Sequence, residues 1–198
     1  MSSTPEKLSV SDLHPTQITV GMREVADKRR ELAKESKDER HEFLRHHVIP
    51  VVIGPGGKRF LIDHHHLARA LHDDGFEHAW CETVADLSSH EGAAFWKEME
   101  KRHWVYPHDQ HGQLRPCSEL PTHAAGLIDD PYRSLAAYAR NAGAYAKSTV
   151  PFTEFTWANF FRTRIVIART EDGFEQALRK AIELARSPSA AALPGFLA

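Results

Sequence analysis

The sequence predicts an α+β protein, with short strands and interposed helices in its first half and a mainly α-helical region after it. Three observations carry the prediction. The β-branched run 48–53 and the run 58–62 flank Gly54-Pro55-Gly56-Gly57, the pattern of a β-hairpin. A helical stretch at 67–72 follows at once. Past residue 120 the texture changes, and Phe174, Leu178, Ala181, Ile182 and Ala185 recur at the 3.6-residue period.

The chain has 198 residues, which suits one domain or one domain with a substantial extension. At this size roughly 70% of the unfolded surface is buried on folding, so no metal or disulfide staple is required. Hydrophobic content of 41% with 26% charged residues is that of a globular chain. Lys and Arg number 25 against 27 Asp and Glu, a formal charge of −2, which argues against a whole-chain grip on DNA or anionic lipid and leaves a local basic patch open. Fourteen histidines turn the net charge positive below neutrality. Two cysteines, Cys81 and Cys117, without CxxC spacing, make neither a disulfide framework nor a redox or zinc motif. No signal-peptide pattern and no 18-residue apolar run is present, so the expectation is a cytoplasmic, reduced protein.

Each element follows from its residues. Residues 1–7 are small and polar and read as a frayed start. Residues 8–20 read as a short strand or extended piece broken by Asp12, His14 and Pro15. One helix with a wide solvated face is expected from about 24 to 45, on the sparse apolar positions Val25, Leu32, Phe43 and Leu44. The hairpin's glycine-rich segment lacks GxxxxGK[ST] spacing and leads into no helix, so it reads as a turn rather than a phosphate cradle. A further strand is expected at 76–84, and a helix at 91–102 on Ala93, Phe95, Trp96 and Met99. Residues 104–119 read as loop, with Pro107, Gly112 and Pro116. Asp129-Asp130-Pro131 caps a helix at 133–141. The aromatic helix 152–161 places Phe152, Phe155, Trp157, Phe160 and Phe161 in a core rather than on a base-stacking surface. A last helix or helix pair covers 165–186, broken near Asp172-Gly173, and the proline-containing tail from Ser187 reads as loosely held.

The segment that carries chemistry is strand, Asp63-His64-His65-His66, helix. A helix start offers backbone N–H groups without intrahelical partners and about half a positive charge, which suits a phosphate. Asp63 is placed to cap the helix, accepting from an N–H two or three residues on, while His64, His65 and His66 add donors. Arg69 lies about one turn in and is placed to reach back. Metal ligation is the alternative. Successive histidines diverge by about 100°, so one of them with Asp63 and a distant partner such as His108, in the His103–His111 loop, is the arrangement to expect. Simple capping of an exposed helix start remains the third reading.

These residues resemble the ParB/sulfiredoxin superfamily, which includes ParB N-terminal domains, sulfiredoxins and nucleotide-dependent free serine kinases. In the serine kinases the corresponding stretch reads strand, Asp-Gly-His-Thr-Arg, Ala-rich helix. Asp63 matches the Asp and His65 the His, while His64, His66 and Leu67 replace Gly, Thr and Arg. Ile49-Pro50-Val51-Val52-Ile53 is similar to the fold's Ile-x-Pro-Val-x-Val strand. The Asp-His-His-His form with Asp129-Asp130-Pro131-Tyr132-Arg133-Ser134 resembles the ParB-like nuclease subfamily, to about residue 165. The resemblance implies a small mixed sheet with surrounding helices over 1–105 and a helical region over 106–198 packed on it. The sulfiredoxin Gly-Gly-Cys-His-Arg is missing, and so is a helix-turn-helix with a basic recognition helix, which argues against sulfinic-acid repair and operator binding.

By the same resemblance Glu24 stands where the kinases have a general base, His65 holds a phosphate, and Asp63 fixes the turn or contacts a metal. The implied activity is ATP- or ADP-dependent phosphoryl transfer or hydrolysis with Mg²⁺, on a nucleotide or phosphorylated small molecule. Arg133, Ser134 and Lys147 are candidate substrate contacts, with Arg140 and Glu154 beside them. A metal-dependent nuclease is the second reading, with a basic surface from Arg23, Arg29, Arg30, Arg40 and Arg45 next to the histidines. A non-catalytic domain that senses nucleotide or binds a partner is the third.

Overall fold

The computed structural model describes residues 4–170 and 172–197. They group into two compact units. One runs to Val20 and takes in Glu24–Ile128; the other holds Gly21–Arg23 and the chain from Asp129 on. The segment 106–128 therefore belongs with the first unit. The Tyr106 N–H bonds the Thr16 carbonyl at 2.9 Å, and the Leu127 carbonyl accepts from Arg69 at 2.6 Å.

The first unit is built on a mixed sheet of five strands: β1 (Glu6–Ser9), β2 (Leu13–Pro15), β3 (Ile49–Ile53), β4 (Arg59–Leu61) and β5 (His78–Asp86). Their order is β1-β5-β3-β4-β2. The β1/β5 and β3/β4 pairs are antiparallel, and β3/β5 and β2/β4 are parallel. Helices α1 (Met22–Lys34), α2 (Lys37–His46) and α3 (His65–Asp73) fill the connections, and α4 (Gly92–Lys101) follows β5. The hairpin expected at 48–62 forms as β3–β4. Its turn places Gly56 and Gly57 at φ 66° and 74°, a region that glycine enters without a Cβ clash. Val51 pairs with Leu61 and Val52 with Phe60. The two-residue period sends these pairs to opposite faces, and all four side chains are buried. Val52 and Phe60 join Leu87, Val105 and the α4 residues Phe95 and Met99 in one core cluster. Leu67, Ala68, Ala70 and Leu71 of α3 are buried as well.

Two expectations for this unit are corrected. Glu6 and Lys7 are not frayed; they pair with Cys81 and Trp80 in the β1/β5 ladder, while residues 1–3 lie outside the described residues. The single helix expected over 24–45 is two. Ser36 caps α2, its hydroxyl accepting the Glu39 N–H at 3.3 Å while the Glu39 carboxylate accepts the Ser36 N–H at 2.8 Å. This reciprocal capping box starts a new helix inside a continuous run of helix-forming residues.

The second unit packs α5 (Pro131–Asn141), α6 (Thr153–Arg162) and α7 (Gly173–Ala185). Asp130 starts α5: its carboxylate accepts the Tyr132 N–H at 3.0 Å and pairs with Arg162 at 2.7 and 3.1 Å. Trp157 is fully buried and stacks on Tyr145 at 4.1 Å, within a cluster that includes Leu135, Phe161 and Phe174. Of the helix or helix pair expected over 165–186, the break near Asp172-Gly173 is observed and only the second part is helical: residues 165–170 form no helix, and α7 begins at Gly173, where the chain folds so tightly that a Cβ would lie 2.0 Å from the Ala168 carbonyl oxygen. The tail, expected to be loose, is docked as far as it is described. Trp157 Nε1 donates to the Pro194 carbonyl at 2.9 Å, the Ala146 N–H to the Gly195 carbonyl at 2.7 Å, and Ala190 is buried. An indole N–H inside a core requires an acceptor, and the tail provides it. Among the described residues no helix is long and apolar enough to cross a membrane.

Candidate active site at the start of helix α3

Strand β4 delivers the chain through Ile62 and Asp63 to His64, the residue that starts α3. His64 adopts φ 61°, ψ 28°, the left-handed region, and its side chain makes no cap. A non-glycine residue there costs about 1–2 kcal/mol. Asp63, exposed at this turn, accepts the N–H of His64 itself at 2.7 Å. It thus braces the turn one residue earlier than expected and does not cap the helix start as an N-cap residue would.

The three imidazoles have three different environments. His64 is half-buried. Burial pushes its pKa down; Asp63 opposes this, and the neighbouring His47, Lys28 and His66 add to it. His64 is therefore neutral at pH 7. His65 is 2% exposed, and its Nε2 accepts the Thr16 backbone N–H at 3.2 Å, which leaves the proton on Nδ1. Thr16 Oγ1 lies 3.4 Å away and donates to the Leu61 carbonyl at 2.8 Å. His65 thus ties the start of α3 to the chain that follows β2. His66 places Nε2 3.2 Å from Oε2 of Glu24 on α1, each side chain about one-fifth exposed. The pair is at ion-pair distance without the alignment of a full hydrogen bond, and Glu24 Oε2 is otherwise buried without a hydrogen-bond partner among the described residues.

The structure therefore brings Glu24, Asp63, His64 and His66 together, with Lys28 and His47 at hand. Lys28 and His47 were not among the expected residues. Lys28 was legible, because it follows Glu24 by four residues and shares its helix face. His47, stacked on Phe43 at 3.8 Å with Nδ1 donating to the Phe43 carbonyl, had no such local signal, and neither did Thr16.

The remaining candidates lie elsewhere. Arg69 does not reach back; it donates to Asp73 at 2.8 Å and to the carbonyls of Leu127 and Ala125 at 2.6 and 3.1 Å, fastening that turn to α3. His108 stacks on Tyr106 at 4.0 Å, and burial lowers its pKa. Its neighbour Asp109 is engaged in closing the loop, accepting from the His111 and Gln113 N–H groups, each at 2.9 Å, and from Arg115 at 2.8 Å. Among the described residues no three His, Cys, Asp or Glu side chains converge on a metal position, so Asp63 and His108 are not parts of such a set. In the second unit Arg133 is buried, 3.6 Å from the Phe155 ring and 3.8 Å from Glu154, which Arg140 also contacts. Ser134 is buried and accepts the Arg23 N–H at 3.3 Å, and Lys147 is exposed.

Comparison with known proteins agrees with the motif. A family model described as "Putative ParB-like nuclease" matches residues 6–163. Among solved structures the chain is similar to the crystal structure of protein Atu1540 from Agrobacterium tumefaciens, with 41% identity, a TM-score of 0.90 and 98% of each chain covered. No curated protein matches it significantly.

Proposed function

The chain belongs to the ParB-like nuclease family, and from that premise and the geometry around α3 we propose that it is a phosphate-ester enzyme whose substrate phosphate sits at the α3 start. One observation carries the reading: the Glu24–His66 pair stands beside a helix N-terminus whose N-cap residue, His64, makes no side-chain cap. The helix start attracts an anion. His64, half-buried and held toward its neutral form by burial, is placed to donate one hydrogen bond to a phosphate oxygen, and Lys28, itself paired with Glu31 at 2.8 Å, lies close enough to act on the same site. His66, oriented by Glu24, takes the proton from the attacking hydroxyl or water. A carboxylate behind an imidazole fixes its orientation and stabilises the imidazolium that forms. In this reading the reactive imidazole is His66, and His65 is a positioning residue that holds the turn through Thr16.

The finer form of the proposal is ATP- or ADP-dependent phosphoryl transfer or hydrolysis on a nucleotide or phosphorylated small molecule. Magnesium fits it in one way only. With no three-ligand cluster among the described residues, the ion would take most of its ligands from phosphate and water, and Asp63 is the carboxylate exposed at the turn to hold it. The ion's contribution would be neutralisation of phosphate charge. A second reading, a metal-dependent nuclease using the same pair to activate water, is supported by the family description.

The test is thermal unfolding with and without ATP, ADP and Mg²⁺ on the parent, Glu24→Gln and His66→Ala, followed by product analysis. Ligand at 100 times its dissociation constant adds about 2.7 kcal/mol. At this size that raises the midpoint by roughly 5–10 °C. The expected result is a shift in the parent that His66→Ala diminishes, with turnover lost in both variants. Mg²⁺-dependent cleavage of an oligonucleotide without a nucleotide shift selects the nuclease reading. Neither a shift nor cleavage in a folded sample overturns both and leaves a non-catalytic domain.

A further inference from the structure

A trough runs along α1 and α2 on the side that the active site does not use. One cavity of about 540 Å³ lies against α1, walled by Ala26, Arg29, Arg30 and Ala33. A second, of about 500 Å³, lies between α2 and β5, walled by Lys37, Arg40, His41 and Leu44. Arg40 and Phe76 line both, so the two adjoin. Each set of wall residues recurs at i, i+3, i+4 and i+7. Each is therefore one face of its helix, about two turns or 10 Å long. Glu24 and Lys28 fall on the opposite face of α1, about half a helical turn away.

The inner surface of the trough is apolar. Phe76 and Trp80 are half-buried there and Ala33 is exposed, with Leu44 and Ala79 buried beneath. The rim is cationic in a chain of net charge −2, with Asp38 and Asp74 the only carboxylates in the described lining of these two cavities. Arg29 is spent on Asp74 at 2.6 Å, and Arg30 is paired with Asp27. Lys37 and Arg40 make no ion pair among the described residues. Lys7 and Arg45 stand 5.4 and 5.5 Å from the centroid of the Trp80 ring. The arginines expected beside the histidines are thus sorted differently: Arg29, Arg30 and Arg40 line this trough, and Arg23 lies over Phe174.

We infer that the trough receives an amphipathic helix of a partner protein, one whose apolar stripe is flanked by acidic residues. Two helix faces of two turns each, with an apolar floor beside them, are a seat for a third helix, whose own side chains at i, i+3, i+4 and i+7 fill the floor. Trp80, ringed by Lys7 and Arg45, is the anchor such an interface is built around. The cations select the partner's sign, because like charges brought together across an interface are costly and opposite charges steer the encounter. Methyl groups along the floor offer neither hydrogen bonds to base edges nor charge to phosphates, the two contacts that hold a nucleic acid strand. The inference does not rest on the catalytic proposal. It concerns the opposite face of α1, and it holds or fails without turnover.

The experiment is fluorescence anisotropy of a fluorescein-labelled peptide of about 18 residues, long enough to form a helix alone, titrated with the full chain. The peptide is built from Glu, Ala and Leu, with Leu on one helical stripe. Its controls are the same residues scrambled to break the stripe, and the same stripe with Lys in place of Glu. The expected dissociation constant of the acidic peptide is on the order of 10 µM, as for a small, transient interface. Both controls bind at least about 10-fold more weakly. Lys37→Glu with Arg40→Glu weakens the acidic peptide about 10-fold, and Trp80→Ala about 10-fold. Lys37 is the first residue of α2, where glutamate suits the helix dipole, so the charge reversal keeps the helix. Far-UV circular dichroism checks that each variant is folded. Four outcomes overturn the inference: no saturable binding of the acidic peptide, binding that the charge reversal leaves unchanged, displacement of the peptide by an oligothymidylate as effectively as by unlabelled peptide, or a dimer in sedimentation that the charge reversal dissociates, which would make a second copy the occupant.

Discussion

At the scale of single residues, three consecutive histidines show how little a residue type says about its role. His64 bends the chain, His65 is locked inside the fold by Thr16, and His66 meets a largely buried carboxylate. The difference comes from partners distant in sequence, which no local pattern announces. The Asp-His-His-His motif and its position before a helix were legible; the choice among the three rings was not. One consequence is measurable. Burial lowers the pKa of His64, His14 and His108 below the ordinary value of 6.5. Between the folded and unfolded values the unfolded chain binds more protons, so stability is full above about pH 6.5 and falls as pH drops below it. Thermal midpoints measured from pH 7.5 to 5.0 should therefore decline on the acid side. His64→Asn removes one of these imidazoles while tolerating the left-handed backbone, and its decline should be shallower. A midpoint that rises on acidification would contradict the assignment.

At the scale of elements, local signals reported well where punctuation was strong. The β-branched run, the two glycines at positive φ and the Asp130-Pro131 start all specify their structure through neighbours a few residues away. The helical span 24–45 misled because its apolar spacing runs unbroken across the junction. The decisive signal, Ser36 three residues before Glu39, is a polar one. Its worth can be measured. Ser36→Ala removes the acceptor for the Glu39 N–H, and a lost N-cap costs about 1 kcal/mol. That corresponds to roughly 2–4 °C in the thermal midpoint for a chain of this length. Ser36→Asp, which keeps an acceptor at the N-cap, should restore most of the loss. Equal midpoints for the parent and Ser36→Ala would show that the α1/α2 break is set by packing instead.

At the scale of the whole molecule, the chain order is not the packing order. Residues 21–23 belong with the C-terminal unit, and residues 106–128 with the first. Composition shifts near residue 105 mark the end of regular structure, not the end of a packed body, because the loop that follows finds its hydrogen bonds on β2-proximal chain and on α3. The same distinction applies to the tail. Two prolines and small residues read as loose chain, but Leu193 and Phe196 pack on the C-terminal core and the Pro194 carbonyl receives the Trp157 indole. A truncation after Ser187 tests how much that docking matters. It strands a buried indole N–H, at a cost of about 1–3 kcal/mol. It also re-exposes apolar side chains that each contribute about 1.5–3 kcal/mol when fully buried. Even half of that sum lowers the midpoint by roughly 5–10 °C. Near-ultraviolet circular dichroism should lose intensity in the same variant, since Trp157 and Tyr145 are stacked in the core that the tail closes. Restoring residues 188–196 alone should recover both signals, because every contact named here ends at Phe196. A truncated chain with the parent's midpoint and aromatic spectrum would mean that the second unit is complete without its tail.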